Sequence, residues 1–157
     1  MRTRKIYEFE NVLERKTPFI SLKKTFYKIQ DTNGNTTFHV YDVLTLDHGS
    51  FDIDEKLYLI IDGKAYAIKS DSEVPENFIA TSTDTETIMT ADSSGVEVVT
   101  DYSRHQWKHY RMHYTLDPVI LEQIKNAREV LFRYYAGPDM MTVRMRGHRL
   151  RSLQKIL

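Results

Sequence analysis

Thr25-Phe26-Tyr27-Lys28-Ile29-Gln30-Asp31-Thr32-Asn33-Gly34-Asn35-Thr36-Thr37-Phe38-His39-Val40-Tyr41-Asp42-Val43-Leu44 decides the fold class. Asn33-Gly34 accepts the positive φ values of a tight turn, and β-branched and aromatic residues flank it on both sides, so the segment reads as a β-hairpin. A second hairpin follows the same rule: Lys56-Leu57-Tyr58-Leu59-Ile60-Ile61, then Asp62-Gly63, then Lys64-Ala65-Tyr66-Ala67-Ile68. Leu57 to Ile61 is apolar at every position, which predicts a central strand covered on both faces.

Outward from these hairpins the strand pattern continues. Residues 5–13 alternate around Tyr7 and Phe9 and predict a first strand, before Pro18 interrupts. Residues 70–95 are dominated by Ser, Thr, Asp and Glu and predict a long polar loop with one short strand near 85–90. Gly95–Thr100 resumes strand character. From Arg104 to Thr115, Tyr110, Met112 and Tyr114 share one face of a strand, and His105, Trp107, His109, Arg111 and His113 share the other. Glu129–Ala136 and Met140–Arg146 form two more strands around Gly137-Pro138-Asp139, each with one apolar and one arginine-bearing face. Asp117-Pro118 opens a helix over about 117–128, with Asp as the N-cap, and a short helix closes the chain at about 148–156. The expected fold is mainly β: an antiparallel β-sandwich or open barrel with two short helices. The alternative is an α+β fold with the helices on one side of an antiparallel sheet.

The chain has 157 residues, fitting one domain. It has no cysteine, which excludes disulfides, thiol catalysis and Cys-ligated metals. No apolar stretch approaches a membrane span and no apolar core follows the basic N-terminus, so the expectation is a chain without signal peptide, cytoplasmic by default. Net charge is zero but polarised. Residues 1–30 carry eight Lys/Arg against three acids, residues 31–101 three against fifteen, and residues 102–157 eleven against four.

Three constellations carry chemical interest. His105, His109 and His113 would stack as metal ligands on a helix. On a strand they lie ~13 Å apart at ~3.3 Å per residue, too far to meet at one ion, so no metal and no cofactor is expected. Arg133, Arg144 and Arg146 form a cross-strand series suited to an anionic ligand or an acidic protein surface, because the guanidinium fork donates in pairs. Zero net charge argues against nucleic acid as the partner. Asp42, Asp47, Asp52, Asp54 and Glu55 surround His48-Gly49-Ser50 without the spacing of a calcium loop, and read as a solvated acidic segment. No phosphate-binding glycine loop, nucleophile elbow or zinc-protease motif occurs. The expectation is a binding or protein-interaction domain using the arginine face. The alternatives are an enzyme with a histidine/carboxylate site assembled from distant residues, His105, His109 or His48 serving as base, and a carrier with a tyrosine-lined cavity between the sheets.

Overall fold

The computed structural model describes residues 2–12, 18–72, 76–92 and 94–157. The protein is mainly β, with 65% strand and 12% helix, in two antiparallel sheets that do not close into a barrel. Sheet A has the order β1-β2-β3-β8-β6: β1 (Arg2–Val12), β2 (Phe19–Gln30), β3 (Thr36–Asp47), β8 (Gly95–Leu116) and β6 (Asp71–Ser72), with β7 (Glu76–Met89) also paired to β8. Sheet B has the order β10-β9-β4-β5: β10 (Asp139–Arg146), β9 (Glu129–Ala136), β4 (Lys56–Ile61) and β5 (Lys64–Lys69).

Both glycine turns form as expected. Gly34 has φ +85° in the β2–β3 hairpin, and Asp62 and Gly63 have φ 47° and 85° between β4 and β5, the paired positive values of a type I′ turn. The backbone N–H groups of Arg128 and Glu129 donate to the Asp62 carboxylate at 3.0 Å, tying this turn to the start of β9.

Period-two alternation builds the core. Leu22 and Phe26 of β2, Val40 and Leu44 of β3, and Tyr110, Met112 and Tyr114 of β8 are buried from sheet A. Leu57, Leu59, Phe132, Tyr134, Val143 and Met145 are buried from sheet B. The Phe26 and Phe132 rings meet edge to face at 6.4 Å, so these inner faces pack on one another. Helix α1 (Pro118–Lys125) buries Ile120 and Ile124, and the Ile120 N–H donates to its N-cap Asp117 at 2.9 Å. Helix α2 (Gly147–Gln154) buries Leu150 and Leu153. Gln154 binds the Ile124 and Ala127 carbonyls at 2.9 Å, joining the two helices.

Three expectations change. β4 is central, between β5 and β9, but Tyr58 and Ile60 on its second face are only half-buried, because no further layer covers them among the described residues. The long polar loop at about 70–95 is instead largely strand: β7 runs from Glu76 to Met89 in register with β8. Alternating Thr81, Thr83, Thr85 and Thr87 supply β-branched residues that suit a strand exposed on both faces, where no apolar alternation is required. The strands expected at 95–100 and 104–115 are one continuous β8 of 22 residues, for which β7 supplies the partner beyond the end of β3.

Candidate functional site

The outer face of sheet A carries the candidate site. Thr25 and Tyr27 of β2, Tyr41 and Val43 of β3, Arg111 and His113 of β8, and Asp71 of β6 line an open cleft of about 610 Å³. Strand register assembles it. Tyr27 lies opposite His39, Tyr41 opposite His113, and Asp71 opposite His113 on its other side. Four rings form a continuous ladder: Tyr27 meets Tyr41 edge-on at 5.2 Å, His113 stacks on Tyr41 at 4.6 Å, and His39 stacks on His113 at 5.1 Å.

The two imidazoles are also hydrogen-bonded. His39 Nδ1 lies 2.8 Å from His113 Nε2, Thr37 Oγ1 lies 2.9 Å from His39 Nε2, and Asp71 lies 3.6 Å from His113 Nδ1. One proton arrangement satisfies the whole chain with both rings neutral. Thr37 donates to His39, His39 donates through Nδ1–H to His113, and His113 turns its Nδ1–H toward Asp71. Burial, and secondarily the charge of His113, hold His39 below the ordinary imidazole pKa. His109 is lowered by burial and then by Arg111, and packs against Phe78 at 4.5 Å. At the rim the Arg111 guanidinium reaches Glu76 at 3.4 Å with about half of each side chain exposed, a contact that a ligand can displace at little cost.

Behind this face, between the sheets, lies a second polar group. Lys24 Nζ is fully buried and donates to Asp42 Oδ1 and Oδ2 at 2.7 and 2.8 Å, and to the Tyr114 and Tyr134 hydroxyls at 2.6 and 2.7 Å. Both tyrosines in turn donate to Asp42 Oδ2. The ammonium sits 3.8 Å from the Phe132 ring centroid. Burial lowers the Lys24 pKa to about 8 against the opposing pull of Asp42, and raises both tyrosine hydroxyls. Every polar atom in the group has a partner, the condition under which a buried polar network orders a core.

No family model matches the chain, and no curated protein is significantly similar to it. The functional reading therefore rests on these residues alone.

The histidines expected to share a strand face do so, but along its length. His105 is exposed, His109 meets Phe78, and His113 joins His39 of the neighbouring strand. Arg133, Arg144 and Arg146 lie on the outer face of sheet B, remote in the fold from the cleft. Arg133 Nε donates to Thr142 at 3.1 Å, Arg144 pairs with Glu129 at 3.2 Å, and Arg146 is exposed. Asp42 departs from the acidic-segment reading: it is 1% exposed and bound to Lys24, because it points inward between Val40 and Leu44 on β3. Asp52, by contrast, stays at the surface and accepts from the Tyr110 hydroxyl at 2.5 Å. The space between the sheets holds tyrosines, as a carrier cavity would require, but Tyr114 and Tyr134 close around Lys24.

Sequence reasoning missed Lys24, Asp42 and His39. The signal for all three was the hairpin register. Once the turn at 31–35 sets Gln30 opposite Thr36, Lys24 falls opposite Asp42 and Tyr27 opposite His39.

Proposed function

We propose that the protein is a binding domain whose outer sheet-A cleft holds a small planar ligand carrying an acidic group. The observation that carries this reading is the row of rings Tyr27, Tyr41 and His113 lining the cleft, with His39 stacked behind His113 and Arg111 and Lys23 at the rim. Aromatic rings offer contact area at low entropic cost, and a guanidinium meets a carboxylate or phosphate through two parallel hydrogen bonds. Selection for the acid falls to the Arg111 and Lys23 cations at the rim.

The test uses 4-hydroxybenzoate and adenosine 5′-monophosphate as anionic probes, with benzyl alcohol and adenosine as neutral counterparts. The anionic probes should move the Tyr41 and His113 ring resonances, and Arg111→Ala should weaken them without affecting the neutral ones. Absence of any shift at roughly millimolar probe, where even weak ligands occupy a site, would overturn the reading.

A second reading is favoured by the Thr37–His39–His113–Asp71 chain, which has the layout of a proton relay in which a carboxylate orients one imidazole. In that case the cleft ligand is a substrate and His39 the base, since His39 Nε2 accepts from the Thr37 hydroxyl while both ring nitrogens of His113 are engaged in the relay. Hydrolysis of p-nitrophenyl acetate faster than free imidazole, lost in His113→Asn, would favour it over simple binding.

A further inference from the structure

We infer that the β7–β8 ribbon is an arm that docks on the outer face of sheet B in a second copy of this chain. β8 pairs with β3 only from Trp107 onward, so Ala80–Met89 and Gly95–His105 form a two-stranded ribbon beyond the sheet. Ten β7 residues at ~3.3 Å each give it a reach of roughly 30 Å. An isolated two-stranded ribbon is marginal in water, and this one leaves apolar side chains about half exposed. On one face Ile88, Val96 and Val98 are 50%, 46% and 38% exposed, with Glu86 beside Val98.

Charge identifies the occupant. Residues 70–103 contain eight Asp/Glu and no Lys or Arg. Residues 126–157 contain seven Lys/Arg and two acids. The outer face of sheet B has a matching composition. Tyr58, Ile60, Leu131 and Tyr135 are half-buried around a central Arg133, Met140 is 46% exposed, and Arg144 and Arg146 on β10 edge the patch. An acidic ribbon with an apolar stripe thus complements an apolar face edged by arginines on the same chain, and charge of opposite sign both steers the encounter and sets its register. Arm and receiving face are different surfaces, so each copy offers one of each. The glutamates would meet the arginines at the rim, where pairs are solvated, and Ile88, Val96 and Val98 would supply the buried centre.

Sedimentation velocity and light scattering on the full chain test this. The weight-average mass should rise with concentration up to about 500 μM at low salt, the range of a small interface, and fall when salt is raised. Glu86→Arg with Ile88→Arg disables the arm, and Arg144→Glu with Arg146→Glu disables the face. All four residues are exposed, and unchanged circular dichroism verifies the fold. Each double variant should associate at least about tenfold more weakly than the native chain, the scale of losing 1.4 kcal/mol. Mixed together, the two variants should form a 1:1 heterodimer, since one holds an intact face and the other an intact arm. A native chain that stays monomeric throughout, a variant that associates as the native chain does, or a mixture that stays monomeric would each overturn the inference.

Discussion

Replacing Lys24 by Met should cost about 3–5 kcal/mol of stability, the range for removing one partner of a buried ion pair. The magnitude follows from the geometry. At 2.7 Å and an effective dielectric of about 20, the Lys24–Asp42 attraction is roughly 6 kcal/mol. Desolvating the two ions costs several kcal/mol each, so the intact pair is close to neutral in net stability. Deleting the cation removes the attraction and leaves Asp42 in the core with only the Tyr114 and Tyr134 hydroxyls. For a domain of this size the loss corresponds to a fall of roughly 6–20 °C in Tm. Urea unfolding followed by Trp107 fluorescence measures it. The double variant Lys24→Met with Asp42→Leu should recover about 3 kcal/mol relative to the sum of the single variants, since no charge then remains buried and the two hydroxyls can bond one another. A Lys24→Met cost below about 1 kcal/mol, or singles that simply add, would refute the reasoning.

Gly137→Ala should destabilise by more than Gly34→Ala. Both glycines have positive φ, but an added Cβ at Gly137 comes within 2.5 Å of the Phe51 ring, whereas Gly34 faces open space; the difference in urea midpoint reads the clash. Asp117→Ala should cost about 1 kcal/mol through loss of the α1 N-cap, whereas Asp117→Asn, which still accepts from Ile120, should cost less in a thermal melt. His39 and His109 titrate below their ordinary value in the folded state, so the unfolded chain takes up protons first on acidification. Stability should therefore fall as pH drops below about 6.5, and His39→Gln should flatten part of that slope in urea titrations between pH 7.5 and 5.5; an unchanged slope would contradict the burial of the pair.

The secondary structure of this protein is written locally. Asn33-Gly34 and Asp62-Gly63 demand turns through their φ preferences, Asp117-Pro118 demands a helix start, and alternation from Val130 to Tyr134 sorts inner from outer face; none of these needs a distant partner. β7 was not legible because a strand solvated on both faces carries no apolar alternation, and only its register with β8 reveals it. Within the site, the sequence placed His109, Arg111 and His113 on one face of β8, since alternation is a property of the strand itself. It could not bring His113 to His39, which lies 74 residues away and joins it through the pairing of β3 with β8. Likewise Lys24 and Asp42 look like ordinary surface charges in sequence, flanked by Lys23 and Val43. Tertiary structure decided that both point inward, because packing one sheet on the other brought Tyr114 and Tyr134 to them and made the burial of opposite charges tolerable.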